Sequence, residues 1–205
     1  MTAALDPAIL AHLERLVDER VDARLADLDA RLTAVEARTE EALARLAAAP
    51  GDKASIMVFS GDLDRLMSAF IVANGAVAMG LEVAMYFTFW GLVALKKGTA
   101  FAGKTPEQKM MAAILPRTPR DVGTSRLNML GLGPQIFKRI MGQSHVESLP
   151  DLIALARELG VRLVACQMAM GVMGIRPDEL IDGVELGGVA TYLGDAAESK
   201  VTLFI

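Results

Sequence analysis

The chain contains a single cysteine, Cys166, and this thiol is the residue with the clearest chemical potential. It ends a short apolar run, residues 161–166, that is typical of a buried strand. The residues that follow, 167–174, are predicted to form a short helix. A thiol between a strand end and a helix N-terminus meets unpaired backbone N–H groups, which favour the nucleophilic thiolate. Since free cysteines are often simply buried, an inert structural thiol is the alternative.

Other residues at predicted strand ends are candidates for binding a substrate or an anion. Glycines and hydroxyls at strand-to-helix turns let a ligand approach the backbone. The candidates are Ser60, Gly61 and Asp62 after the first strand, the backbone N–H groups of Gln167 and Met168, and Gly187 and Gly188. These turns carry neither a GxGxxG nor a GxxxxGK[ST] motif, so a standard nucleotide-phosphate loop is not expected.

The composition excludes several classes of protein. Hydrophobic residues make up 53% of the 205 residues, which is enough for a sizeable core and argues against intrinsic disorder. A formal net charge of −4 argues against general nucleic-acid binding. One cysteine and two histidines cannot build a disulfide framework or a histidine metal cluster. We therefore expect no metal and no other cofactor.

Short apolar runs alternate with helical stretches between residues 52 and 205. This alternation predicts an α/β domain, with a parallel sheet of about five strands covered by helices on both faces. In such sheets, functional groups gather at the carboxyl ends of the strands. The strands are predicted at residues 54–59, 82–89, 161–166, 184–186 and 201–205, and a short helix at residues 177–183.

Residues 1–49 form a separate unit, a long amphipathic helix that resembles a coiled coil. The first 50 residues contain ten acids and six bases, and a Pro-Gly pair at residues 50–51 closes the unit. A helix with one narrow apolar stripe cannot bury that stripe alone, so we expect it to pair with copies of itself, giving a homo-oligomer, or to dock on the domain. The stripe steps by three and four residues through Leu25, Leu28, Leu32, Val35, Thr39, Ala42 and Leu46.

An insert at residues 96–146 interrupts the α/β alternation and carries nine bases but only two acids. Three interpretations stay open: a solvated, partly helical excursion, a basic lid that docks an anionic partner or ligand, and attachment to anionic lipid. The third interpretation rests on apolar residues that lie beside Arg126, Lys138 and Arg139. These residues are Leu127, Met129, Leu130, Leu132, Ile136, Phe137, Ile140 and Met141.

No membrane-spanning helix and no secretory signal are expected. The most apolar region, residues 66–95, is interrupted by Glu82, Asn74 and two glycines into pieces shorter than the roughly 20 residues that a span needs. The N-terminus has many acids and lacks a basic start followed by an apolar run. We expect a cytoplasmic protein, with peripheral membrane association as a further possibility.

Three segments resemble the DsrE/DsrF-like proteins, in the subgroup labelled peroxiredoxin-like. They are SIMVFSGDLDRLMSAFIVANGAVAMGLEVAMYFTFWG, GVRLVACQMAMGVMGI and DGVELGGVATYL, and the resemblance covers about residues 54–205. It implies a flavodoxin-like parallel sheet and oligomer formation. It also implies a sulfur relay in which the cysteine after a central strand, here Cys166, carries sulfane sulfur as a persulfide. TusA-type sulfur carriers or rhodaneses are the implied partners.

The resemblance therefore favours a possible sulfurtransferase or sulfur carrier with one reactive cysteine. Some relatives have a second cysteine, whereas this chain has none, which puts intramolecular disulfide chemistry in doubt. The main alternative is a non-catalytic oligomeric scaffold, either free or at a membrane surface, in which Cys166 is structural. Thiol-dependent peroxide or CoA-disulfide chemistry is a third interpretation, and its turnover would need an external resolving thiol.

Overall fold

The computed structural model describes residues 7–47, 51–126 and 132–205, and the chain divides into two compact units, Met1–Ala49 and Pro50–Ile205. The first unit is the predicted long helix, α1 (Pro7–Ala47). Its side chains are exposed from residue 11 to residue 44, including those of the apolar stripe. The side chain of Leu46 and the junction at residues 48–50 lie outside the described residues. Pairing of α1 with copies of itself stays a prediction.

The second unit is built on a five-stranded sheet in which every neighbouring pair of strands is parallel. The strand order is β4-β3-β2-β1-β5. This confirms the predicted α/β class and parallel sheet. The strands are β1 (Gly51–Val58), β2 (Glu82–Phe87), β3 (Arg162–Cys166), β4 (Glu185–Gly187) and β5 (Ser199–Phe204).

Helices cover both faces of the sheet because successive residues of a strand point to opposite faces. Phe87 of β2 stacks on Phe70, with ring centroids 5.8 Å apart, and Phe70 belongs to α2 (Leu63–Ala78). Tyr86 points the other way and packs 5.8 Å from Tyr192. Tyr192 belongs to α7 (Val189–Ala197), so α2 and α7 lie on opposite faces. The other α-helices are α3 (Pro106–Ile114), α4 (Leu132–Gln143), α5 (Leu149–Glu158) and α6 (Gln167–Met173).

Several element boundaries differ from the predictions, and three of the differences are informative. The second strand ends at Phe87 rather than at Phe89, because the chain turns into a 3₁₀ helix, Phe89–Leu95, with Phe89 in the left-handed region at φ 45°. The helix predicted at residues 177–183 is a single 3₁₀ turn, Pro177–Glu179. The first strand begins early, at Gly51, where it already pairs with the start of β5.

The insert at residues 96–146 is partly helical. It contains α3, a 3₁₀ turn at Pro119–Asp121, and α4. Three of its apolar residues that the sequence analysis singled out, Leu127, Met129 and Leu130, lie outside the described residues. No helix in the described ranges combines the length and the apolar character that crossing a bilayer requires.

Buried charges fasten the start of the insert to the domain. Lys104 and Glu179 form an ion pair whose side chains are only 2% and 3% exposed. The nearby Lys96 ammonium donates hydrogen bonds to the Thr99 hydroxyl and the Pro116 carbonyl, each at 2.9 Å. Burial lowers the pKa of Lys96 and repulsion by Lys104 lowers it further, while Glu179 opposes both effects. These buried ionic and hydrogen-bonding interactions therefore hold the start of the insert against the rest of the domain.

Candidate functional site

Cys166 lies where the sequence predicts, at the junction of a central strand and a helix. It is the last residue of β3 and the N-cap residue of α6, with extended backbone angles of φ −70° and ψ 110°. In this position the first N–H groups of α6 have no partner within the helix and point back toward the sulfur. Gln167 and Met168 begin α6 with exposed side chains, so they can act on the sulfur only through their backbones.

The register of the sheet places two hydroxyls on the same face as Cys166. Tyr86 of β2 lies opposite Val164 of β3, and partners in a parallel pair share a face. Cys166 comes two residues after Val164 and therefore returns to the Tyr86 face. Thr88 comes two residues after Tyr86 and is 8% exposed. A buried thiol and two hydroxyls thus converge at the carboxyl edge, on the side that α7 covers.

Burial and hydrogen-bond donors act on the Cys166 thiol in opposite directions. Burial is the largest single influence and raises its pKa, because a thiolate is costly away from water. The Tyr86 hydroxyl, the Ala169 N–H, the Thr88 hydroxyl and the Met168 N–H all lower the pKa, since each donates toward the charged form. The donors together outweigh burial, so the pKa of Cys166 lies below its ordinary value.

Tyr86 is an unusual donor because its hydroxyl is not otherwise satisfied. The residue is 4% exposed, and within the described part of the chain its Oη reaches no acceptor with full hydrogen-bond geometry. Burial raises the pKa of the phenol, and the presence of Cys166 raises it further, so the hydroxyl keeps its proton. An unpaired buried hydroxyl costs free energy, of order 1–3 kcal/mol. A thiolate or persulfide anion at Cys166 would give this hydroxyl an acceptor.

The turn that carries Thr88 is tightly held and strained. The Thr88 N–H donates to the Val58 carbonyl at 3.0 Å, which ties the end of β2 to the end of β1. A side chain at Gly91 would collide with the Val58 backbone, so only glycine fits there. Phe89, directly after Thr88, has a positive φ that a bulky residue rarely adopts. Strain of this kind is often found at functional sites.

Gly187 lies beside Cys166 in the sheet, as its register partner on β4. A Cβ on Gly187 would come within 2.8 Å of Val164 Cγ1 and 3.0 Å of Thr191 Oγ1, so the absence of a side chain is required for packing. Gly188 is the N-cap of α7, and its N–H donates to the Thr191 hydroxyl at 3.3 Å. Their predicted role in binding a substrate or anion stays a prediction.

Ser60, Gly61 and Asp62 follow β1 and line a different cavity, of about 330 Å³, together with Trp90. Of the residues that line this cavity in the described part of the chain, none is Cys166. The Ser60 hydroxyl donates to the Asp62 carboxylate at 3.0 Å, and a Cβ on Gly61 would come within 2.7 Å of the Trp90 carbonyl. This turn is therefore shaped by its own packing and hydrogen bonding, and anion binding there stays a prediction.

The sulfur has little direct access to solvent, since Cys166 is 5% exposed. The site can hold an anion on sulfur, but a reagent must enter a narrow space to reach it.

Sequence reasoning missed the donors at and just after the end of β2 and in α6. Tyr86, Thr88 and Ala169 all act on the sulfur, but none was a candidate. A signal for the first two was present, because they stand two residues apart at the end of the strand next to β3, with the spacing that places side chains on one face.

Comparisons with known proteins identify relatives of this chain. The family model described as DsrE/DsrF/DrsH-like family matches residues 50–204. The chain is 44% identical over 154 residues to uncharacterized protein YrkE of Bacillus subtilis, a match covering 75% of this chain and 96% of that protein. It is 32% identical over 162 residues to sulfur carrier protein DsrE2 of Allochromatium vinosum, covering 75% and 98%.

Among solved structures, the ychN protein from E. coli is similar at 13% sequence identity and a TM-score of 0.46, covering 75% of this chain and 98% of that one. The helix α1 lies outside the family match, which spans the whole sheet and the Cys166 junction. On the family model and the two relatives, the chain belongs to the DsrE/DsrF/DrsH-like family.

Proposed function

We propose that this protein is a cytoplasmic sulfur carrier that holds sulfane sulfur as a persulfide on Cys166 and passes it to a partner thiol. The observation that carries the proposal is the position of a buried thiol at the end of β3 and the start of α6, on the same face of the sheet as the Tyr86 and Thr88 hydroxyls. Family membership and the 32% identity to a protein named sulfur carrier protein DsrE2 point in the same direction. A TusA-type carrier or a rhodanese is the expected partner.

Charging begins with the Cys166 thiolate. It attacks the outer sulfur of a donor persulfide and forms a new S–S bond. The donor's own S–S bond breaks, and the donor leaves as a thiolate that takes up a proton. The sulfane sulfur moves at the same oxidation level, so no external oxidant or reductant is needed.

Discharge is the same reaction with the roles exchanged. An acceptor thiolate attacks the terminal sulfur of the Cys166 persulfide, and Cys166 leaves as a thiolate. A thiol with a lowered pKa leaves faster in such exchanges. The donors around Cys166 therefore assist discharge directly, because they stabilise the leaving group.

Mass spectrometry of the intact protein tests the proposal. After incubation with polysulfide or a persulfidated carrier, the wild-type protein should gain the mass of one sulfur atom, about 32 Da. The Cys166→Ser variant, which keeps a side chain of similar size, should gain nothing. Adding a reduced acceptor carrier should return the wild-type protein to its original mass. No mass gain on the wild type, or an equal gain on the variant, would contradict the proposal.

The burial of Cys166 favours a second candidate, an oligomeric scaffold in which the thiol is structural. Alkylation of the native protein at neutral pH separates the two. A small reagent such as iodoacetamide should modify Cys166 of a sulfur carrier without denaturant, because the donors lower the pKa of the thiol and the reagent needs only a small opening. A thiol that stays unmodified until the protein is unfolded would support the scaffold.

A further inference from the structure

The helix α4 presents an apolar face that no described residue covers. The helix rests on the domain through Pro134 and Met141, which are buried. At 100° per residue, positions 132, 136 and 140 lie along one line on the opposite side, with position 137 beside them. Four large apolar side chains form this α4 face, between 38% and 59% exposed: Leu132, Ile136, Phe137 and Ile140.

An open cavity of about 370 Å³ adjoins the α4 face and continues its apolar surface. Ile136, Phe137 and Ile140 line it on one side, and the segment of residues 124–126 lines it on the other. Among the described residues that line this cavity, Asp64 is the only acid, and its carboxylate accepts hydrogen bonds from the Ser125 N–H at 2.8 Å and the Ser125 hydroxyl at 2.7 Å. The Asp64 carboxylate therefore holds the segment of residues 124–126 in place.

Cations border the α4 face. Arg126 lines the cavity, and Arg139 lies at the edge of the apolar stripe on α4 itself. Arg117 is also exposed and belongs to the same insert. Within the described part of the chain, none of these three guanidinium groups pairs with a carboxylate. Lys138 lies on the inner side of α4 and donates to the Arg120 carbonyl at 2.6 Å, which ties the helix to the preceding turn.

We propose that the α4 face docks the protein on an anionic lipid surface. The four apolar side chains would enter the boundary between head groups and acyl chains, and Arg126 and Arg139 would lie at the level of the anionic head groups. An exposed apolar stripe flanked by unpaired cations is the pattern of helices that bind in the plane of a membrane interface. Charge complementarity also disfavours a second copy as the occupant, since pairing two α4 faces brings their cations together.

Flotation of the full-length protein with lipid vesicles tests the proposal. The protein should float with vesicles that contain phosphatidylglycerol, and the bound fraction should fall at high salt because screening weakens the contact. It should bind pure phosphatidylcholine vesicles much less. The double variant Ile136→Glu, Ile140→Glu should lose flotation to background. Ile71→Glu is the matched control and should float like the wild type, since Ile71 is 52% exposed but lies on α2.

A second double variant guards against the case in which the glutamate substitutions disturb the folding of α4. Arg126→Gln with Arg139→Gln leaves the apolar residues in place and should reduce flotation with anionic vesicles, while circular dichroism stays unchanged. Three results would overturn the proposal: no flotation of the wild type with anionic vesicles at low salt, equal flotation with neutral vesicles, or wild-type flotation by a folded α4 variant. A fourth result would also overturn it: without vesicles, the α4 variants form a smaller oligomer than the wild type and the Ile71→Glu control. That result would assign the α4 face to contact with a second copy of the chain.

Discussion

Replacing Tyr86 by Phe isolates the contribution of one donor to the reactivity of Cys166. The substitution removes only the hydroxyl and keeps the ring that packs against Tyr192. A hydrogen bond to a charged acceptor contributes about 1.5–3 kcal/mol. Since about 1.36 kcal/mol corresponds to a factor of ten in a protonation equilibrium, the thiolate fraction below the pKa should fall roughly ten- to hundredfold.

The resting geometry decides which end of this range applies. The Tyr86 hydroxyl does not reach full hydrogen-bond geometry, and the Thr88 hydroxyl and two N–H groups remain after the substitution. We therefore expect a fall of about tenfold, the lower end of the range for such bonds. The sign follows from the direction of the shift. Donors lower the pKa of Cys166, so the thiolate is present at pH values where an ordinary cysteine is still protonated, and losing a donor moves its appearance to higher pH.

The assay is the rate of iodoacetamide alkylation as a function of pH, followed by the mass of the intact protein. Tyr192→Phe is the matched control, because it removes a hydroxyl on the same face that is not among the groups found to shift the pKa of Cys166. Its rate profile should match that of the wild type. The Tyr86→Phe protein should also unfold at the same or a slightly higher temperature, since an unpaired buried hydroxyl is lost. If its rate profile coincides with that of the wild type, the assignment of Tyr86 as a donor to sulfur is wrong.

Three further predictions concern packing, the buried charges and assembly. Gly187→Ala should lower the free energy of unfolding by about 1–3 kcal/mol through overpacking, whereas Gly188→Ala, with open space at its Cβ, should change it little in the same urea titration. Glu179→Gln should lower the free energy of unfolding by about 3–5 kcal/mol because it leaves the buried Lys104 ammonium unpaired, while Asp182→Asn breaks the exposed ion pair of Asp182 with Lys97 and should change the stability little. Leu28→Asp, in the middle of the stripe on α1, should reduce the molar mass measured by sedimentation if copies pair through that stripe; an unchanged mass would argue against pairing.

The sheet could be predicted from the sequence because its strands are short apolar runs separated by helical stretches. The position of Cys166 at a strand end could be predicted from the same pattern, because the end of a strand is marked by residues close to it in the sequence. The boundary at Phe87 could not be predicted in this way. Thr88 and Phe89 are both residues that favour strands, and the strand stops only because the chain must turn at Phe89 with a positive φ to pack against the end of β1.

The donors to the sulfur depend on strand order and register, which local patterns do not contain. Tyr86 reaches Cys166 because β2 and β3 are neighbours and because Tyr86 pairs with Val164. A shift of the register by one residue would turn the hydroxyl to the α2 face. The turn at Ser60 also lies at the carboxyl edge of the sheet, yet it lines a separate cavity with Trp90. Two residues at the same edge of the sheet therefore need not belong to one site. Residues that also lie on the same face of the sheet are more often part of one site.

The burial of Cys166 and the donors around it have a joint consequence for how sulfur would be transferred. With 5% of the residue exposed, a bulky donor reaches the thiolate only after neighbouring side chains move. Once charged, the reactive atom lies about 2 Å beyond the Cys166 sulfur, the length of an S–S bond, and the donors remain with the inner sulfur that must leave. Access therefore limits charging more than discharge. Small polysulfides should charge the protein faster than a bulky disulfide-type reagent modifies it, and equal rates for both would show that the thiol is far more open than its burial implies.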